Sequence, residues 1–352
     1  METYNVYQII YILYTKNNYP GTSVFSNMNE RSIIKHFRSG NTIFYLCIFY
    51  YVVMCFLAPG FFSVNNSWNL LFNLLPLLIA AIGQTYVMLT AGIDLSVTSV
   101  IATTSVIGGY VMSEDSGLGL GAGGAVLSGI LLMIVAGGVI GLLNGLAVAT
   151  LSMPAFMVTL TSMMFFSGFA IWLTQSQNIY NLPEVFVNMP YTAVLGVPIP
   201  LIIGLFVLIL AYLLLNRTLQ GEWIYAVGLN PKTSQISGVK VSQTIIFVYV
   251  FSGICASIAS ILYTARLETG SPVMGQNILL DVIGAVVIGG TSLFGGKGRI
   301  LWTLYGALFI TLLDNSLNLI GLSYFLIMIV KGAVILLAAI LNVWKERSLN
   351  TI

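Results

Sequence analysis

Residues 201–243 read LIIGLFVLILAYLLLNRTLQGEWIYAVGLNPKTSQISGVKVSQ. The first part is an apolar run without a charge. It breaks at Asn216 into a polar island, Arg217 to Lys240, and a second apolar run follows from Gln243. About 20 apolar residues suffice to carry a helix across the hydrocarbon of a bilayer. The stretch therefore holds the repeating unit of the fold: a spanning helix, a polar connection, and the next spanning helix. The apolar runs are continuous and do not alternate, which excludes the strands of a membrane barrel.

Composition extends this reading to the whole chain. Hydrophobic residues make up 58% of the 352 and charged residues 7%, with a mean hydropathy of +0.96. Soluble domains carry about 25% charged residues, so this chain lacks the charges to cover a water-facing surface. The fold class is all-α, a polytopic transmembrane helical bundle of about ten spans. Apolar runs broken by Gly, Pro or charge place them at 42–59, 69–90, 95–113, 121–148, 155–175, 192–215, 243–265, 278–293, 300–320 and 324–343. The eighth is short, and either crosses or re-enters as a half-helix.

Charge sets the orientation. With ten crossings, Arg31, Lys35, Arg38, Arg217, Lys232, Lys240, Lys297, Arg299, Lys345 and Arg347 share one side. The other side receives Arg266 with Glu114, Asp115, Glu184 and Glu268. The positive-inside rule then puts both termini and the island in the cytoplasm. The expected organisation is a cytoplasmic N-terminal segment 1–41, a membrane domain 42–344 with a cytoplasmic loop 216–242, and a cytoplasmic tail 345–352. Residues 1–27 carry only Glu2 and Lys16 as charges, and their apolar run neither spans nor starts like a secretory signal. Met28, followed by Asn29, Glu30 and Arg31, reads as the true start, with 1–27 as an upstream extension.

No site chemistry of an enzyme is legible. Cys47, Cys55 and Cys255 lie in apolar runs without metal-ligand spacing, and His36 stands in a basic segment without a partner. No metal, no cofactor and no nucleic-acid partner is implied, since the cations are scattered at span ends. The pattern Gly-x-x-x-x-Gly-Lys-Ser/Thr does not occur, and Gly295-Gly296-Lys297-Gly298 fails its spacing. The chain cannot be its own ATP motor.

Polar intrusions into the spans carry the functional questions. Asp94 interrupts the apolar stretch from Leu70 to Tyr110, and reads either as a helix N-cap or as a polar group lining a pathway. Asp281 heads a similar run ending in Gly289-Gly290, an echo of Asp94 that hints at duplication. Asn144, Asp314, Asn315, Asn318 and Lys331 are further intrusions; Lys331 either pairs with Asp314 across the bundle, the favoured reading as a structural ion pair, or contacts backbone carbonyls near Ser323. Met163 to Phe166 read as apolar wall. Gly137, Gly141 and Gly145 fall at four-residue spacing, which serves close helix packing where lipid offers no hydrophobic drive.

Several of these segments together resemble the permease subunits of bacterial ABC importers for simple sugars, the ribose-type family. Ala91-Gly92-Ile93-Asp94-Leu95-Ser96-Val97 is similar to that family's GGIDLSVG signature. The likeness continues through Gly141 to Gly145, Pro154 to Leu160, Ile224 to Pro231, and Asp281 to Gly298. It covers nearly the whole chain, from about Ile43 to Trp344. The resemblance implies location in the bacterial cytoplasmic (inner) membrane and a second permease subunit, identical or not. It also implies two cytoplasmic ATPase subunits or one fused ATPase, and a periplasmic or lipid-anchored sugar-binding protein. On this likeness the island is the segment that couples to the ATPase, with Gly221, Glu222, Trp223, Tyr225, Ala226, Gly228, Asn230 and Gly238 as its residues. The chain departs from the family at Arg217 to Glu222 and at Lys232 to Gln235.

Trp223, Ile224 and Val227, at helical spacing, are expected to form the apolar anchor of that docking helix. Pathway candidates are the small or weakly polar groups Ser96, Thr98, Ser99, Asn144, Thr159 and Thr291, together with Asp94 and Asp281. The rival reading is a secondary transporter or facilitator of a small polar solute, with Asp94 and Asp281 as coupling-ion sites. That reading leaves the docking island without a purpose.

Overall fold

The helices stop where the sequence changes chemistry. In the computed structural model, which describes residues 42–114 and 121–350, α1 covers Thr42–Leu57 and α2 covers Val64–Leu89. Ser63 caps α2, its hydroxyl accepting from the Asn66 N–H at 3.2 Å. Beyond its C-terminus Ala91 takes a left-handed backbone, φ 61°. Then come α3 (Val97–Met112), α4 (Gly121–Ala149) and α5 (Ala155–Thr174). A short α6 (Glu184–Val187), a 3-10 turn Met189–Tyr191 and a two-residue hairpin, Ala193–Val194 with Val197–Pro198, lead into α7 (Ile199–Arg217). The island folds as α8 (Leu219–Leu229) and α9 (Pro231–Ile236). The chain ends through α10 (Val241–Leu267), α11 (Leu279–Gly289), α12 (Ile300–Leu319) and α13 (Tyr324–Asn350). The start expected at Met28, His36 and the segment 1–41 lie outside the described residues.

Seven of these helices are long and apolar enough to cross a membrane: α2, α4, α5, α7, α10, α12 and α13. Three shorter apolar helices, α1, α3 and α11, fill the remaining apolar runs. At 1.5 Å per residue the 11 residues of α11 rise only about 16 Å, roughly half of a ~30 Å hydrocarbon core. The sixth run begins later than expected, at Ile199. Residues 192–198 are spent on the hairpin, whose tip, Gly196, supplies a φ of 80°.

Burial separates an inner from an outer set. Of the apolar window of α2, 72% is buried, against 17% for α5 and 6% for α13. Helices α2, α3, α10, α11 and α12 form the centre, while the outer helices turn Leu, Phe and Ile outward, the surface that hydrocarbon would cover. The expected glycine stripe works as close packing: a Cβ on Gly145 would come within 2.9 Å of Ile246 Cα, and one on Gly141 would overlap the Tyr249 carbonyl. Backbone of α4 thus lies directly on backbone of α10.

The bundle has two distinct ends. One gathers the island, the 90–96 loop and the 290–299 loop, through Gly296 N–H to Leu89 O at 2.9 Å and Tyr225 Oη to Gly298 O at 2.8 Å. The other gathers Ile179 with Gly270, and Arg266 with Asn73. Arg217, Lys232 and Lys240 border or belong to the island, and Lys297 and Arg299 belong to the 290–299 loop, at the first end; Arg266 lies at the second.

Candidate functional site

The island is built as two short capped helices. Thr218 caps α8, its hydroxyl accepting from Gly221 N–H, and Asn230 caps α9, its side-chain oxygen accepting from Thr233 N–H at 3.1 Å. Pro231 takes the first position of α9, where its missing N–H costs no hydrogen bond. Glu222 is exposed on the first turn of α8, where a carboxylate complements the positive helix end. Trp223 and Ala226 are half-buried. Gly238 turns the chain out of the island with φ 86° and open space around it.

One face of α8 is pressed into the membrane bundle. Ile224 and Val227 are buried at 0% and 1% exposure. This corrects the expectation that they anchor an outside partner: their apolar side chains are buried within the chain's own fold. The apolar groups the island turns outward are Leu219, Leu229 and Ile236, the last 89% exposed. A Cβ on Gly221 would overlap the Leu215 carbonyl, and one on Gly228 would overlap the Leu89 carbonyl. Glycine at these two positions lets α8 lie directly on the ends of α7 and α2.

Tyr225 ties the same helix to the 290–299 loop by donating to Gly298 O at 2.8 Å. Burial raises its phenol above the ordinary tyrosine value, a shift partly opposed by the nearby Arg299 charge, so it stays a donor. Arg299 also lies 5.1 Å over the Trp302 ring, a cation–π contact at the start of α12. The island thus touches α2, α7 and the α11–α12 connection at once.

Behind this junction lies a buried polar knot. Asp94 is 2% exposed. Its Oδ1 accepts from Ser96 N–H at 2.9 Å and from Ser96 Oγ at 2.6 Å, and its Oδ2 accepts from Ser252 Oγ of α10 at 2.8 Å. Asn144 of α4 donates to Ser96 Oγ at 2.9 Å. Thr159 of α5 donates to Ile93 O at 3.1 Å, and Ser99 donates to Ser96 O. Asp94 serves the start of α3 through an Asx turn, close to the cap reading, and ties α10 to it through Ser252, while Ser96 holds α4 and the Ile93 carbonyl holds α5. Ser252 is a partner the sequence reading missed; its signal is Ser252-Gly253 in the middle of an apolar run. Thr98 and Thr291 are also buried, Thr291 against Gly298.

Asp281 does not join Asp94. It pairs with Lys331 of α13 at 2.8 Å, and Lys331 also lies 3.1 Å from Asp314 of α12. The expected Lys331–Asp314 pair is present, but the shorter contact is to Asp281. The echo between Asp94 and Asp281 therefore ends at the sequence: one carboxylate is held by hydroxyls and an amide N–H, the other by an ammonium.

Comparison with known proteins places this architecture. The family described as branched-chain amino acid transport system / permease component matches residues 66–339. The ribose import permease protein of Escherichia coli K12 is 40% identical over 294 residues, 82% of this chain and 89% of that protein. The Haemophilus influenzae ribose import permease is 38% identical over 292 residues, 82% of this chain and 88% of its own. The D-allose transport system permease of E. coli K12 is 31% identical over 287 residues, 81% and 86% of the two chains. No solved structure matches.

Proposed function

Because the chain belongs to the branched-chain amino acid transport system permease family, we propose that it forms the membrane pathway for a simple sugar in an ABC importer. It is a multi-pass membrane permease subunit and not an enzyme; ATP hydrolysis belongs to a separate subunit. The sugar assignment rests on the relatives, whose names specify ribose and D-allose import.

The observation that carries the coupling role is the seating of α8 on Leu89 at Gly228, which allows no side chain, together with its tie to Gly298 through Tyr225. A helix so seated transmits a push from below to α2, α11 and α12 together. In our reading all ten apolar helices run through the bilayer, α11 as the short one, with both termini and the island cytoplasmic. The domain limits follow as 42–344 for the membrane domain and 216–242 for the coupling loop, flanked by cytoplasmic ends. The positive-inside distribution supports that orientation. Two permease subunits, identical or not, enclose the cavity, two ATPase domains dock on the islands, and a binding protein delivers sugar at the opposite face. The home membrane is the bacterial inner membrane.

Asp94, Ser96, Asn144 and Thr159 act here as the brace that keeps the 90–96 loop under the island, with Thr98 and Thr291 near the inner ends of the pathway helices. Asp281 acts as half of a charge clamp. The decisive assay is D-ribose uptake into proteoliposomes holding the permease, its ATPase and its binding protein. Uptake is expected with ATP and not with an ion gradient alone; accumulation on the gradient without ATP would reverse the assignment.

A further inference from the structure

At the end of the bundle away from the island, a cavity of about 540 Å³ opens between the first turns of α2, the 190–198 segment and the end of α10. Pockets for small molecules span roughly 300–1,000 Å³. Asn65, Trp68, Asn69 and Phe72 line it at the i, i+3, i+4, i+7 spacing of one helix face. Trp68 and Phe72 stack at 6.0 Å, and Phe72 meets Tyr191 edge-on at 6.1 Å. Trp68 and Tyr191 nevertheless stay 43% and 64% exposed, so ring surface is left over for a guest. The side chains of Asn65 and Asn69 make no hydrogen bond to any described residue. Arg266 reaches the cavity and is held in place by its donation to Asn73 Oδ1 at 2.6 Å.

We propose that this vestibule is a sugar-binding site on the permease itself, taking a neutral monosaccharide before it enters the membrane pathway. A monosaccharide has a C–H face and a rim of hydroxyls, each both donor and acceptor. The Trp68 and Tyr191 rings present the apolar, electron-rich faces that C–H groups cover. The Asn65 and Asn69 amides offer a donor and an acceptor each, and the fixed Arg266 fork offers donors only. A cation is disfavoured, since among the described residues no carboxylate lines the cavity and Arg266 is positive. A zwitterionic amino acid finds no acid for its ammonium group there, and a branched apolar side chain finds no closed apolar wall. The vestibule deepens the sugar-import reading and rests on it for the choice of ligand.

The test uses the permease co-purified with its ATPase in lipid nanodiscs, D-ribose as the probe, and saturation-transfer NMR from protein aromatic protons to ribose C–H protons. Transfer is expected for the natural protein. It should fall at least fivefold in Trp68→Ala and in Asn69→Ala, and ATP-dependent uptake by the same variants in proteoliposomes should fall in step. Normal uptake without transfer, or variants that keep both, would overturn the site and leave the transport reading standing. Variants that keep transfer but lose stimulation of ATP hydrolysis by the binding protein would make this face a docking surface, and also overturn it. Transfer without uptake under any energy source would keep the site and sink the transport reading instead.

Discussion

Lys331 Nζ lies 2.8 Å from Asp281 Oδ2, joining α13 to α11, and the same ammonium stands 3.1 Å from Asp314 on α12. One cation thus holds three helices through two carboxylates. Two of the three side chains are about 15% exposed, so water screens the pair poorly. Removing a single partner from such a group strands the others.

Lys331→Met is accordingly expected to destabilise the permease by roughly 3 kcal/mol, because it leaves two carboxylates facing each other without a cation. Adding Asp281→Asn should recover more than half of that loss, the non-additivity expected of contacting groups. Thermal unfolding of the three proteins in detergent checks this. A Lys331→Met protein that melts with the natural one would show that the clamp holds nothing.

The Asp94 knot makes a different forecast. Asn in place of Asp94 keeps an oxygen for the Ser96 N–H and hydroxyl, and the Ser252 hydroxyl can turn to accept from the new amide. Asp94→Asn should therefore retain most ATP-dependent uptake. Asp94→Ala orphans these donors, at about 1–3 kcal/mol for each buried group left unpaired, and should give little folded protein. Complete loss of uptake in a well-folded Asp94→Asn variant would point to a charge that moves with the cargo.

Much of this architecture is legible in the sequence. Continuous apolar runs define the helices, and Gly137, Gly141 and Gly145 announce a close helix approach because their spacing has few other uses in lipid, while the identity of the partner, α10, comes from the structure. The facing of α8 is not legible. Its apolar residues at 223, 224 and 227 mark a face at helical spacing, but periodicity cannot tell whether that face meets a partner or the protein's own core. Burial of Ile224 and Val227 decides for the core. The Ser252 partner of Asp94 and the closer Asp281 partner of Lys331 stay hidden for a related reason, since both are set by which of several polar intrusions share a depth; the Asp314 pairing of Lys331 is legible. The vestibule is hidden too, because Trp68, Tyr191 and Arg266 come from three distant segments.

The seat of α8 predicts uncoupling without unfolding. Gly228→Ala drives a methyl into the Leu89 carbonyl, so α8 must lift from α2. Tyr225→Phe removes the donor to Gly298 O, a loss of about 1 kcal/mol. Both variants should insert into membranes normally. Uptake is expected to vanish in the first and fall several-fold in the second, while ATP hydrolysis continues. Gly238→Ala meets no atom within 4 Å and strains only a φ of 86°, so it should transport nearly as the natural protein does. Equal uptake by Gly228→Ala and Gly238→Ala would remove the seat from the mechanism.

The outer face of the island sets the last forecast. With Ile224 and Val227 in the permease core, the apolar groups left outside for the proposed ATPase contact are Leu219 at the start of α8, Leu229 at its end, 67% exposed, and Ile236 at the end of α9, 89% exposed. Apolar anchors buried at the centre of an interface carry most of its energy, and Leu229 and Ile236 flank the short helix α9. Ile236→Asp or Leu229→Asp would bury a charge in that interface. Each should weaken ATPase binding by about 2 kcal/mol or more, close to 30-fold in Kd. Glu222→Ala, at an exposed polar position, should change it little. Co-purification and titration of the ATPase against the detergent-solubilised permease measure all three, and retention of full affinity in both aspartate variants would move the docking surface elsewhere on the island.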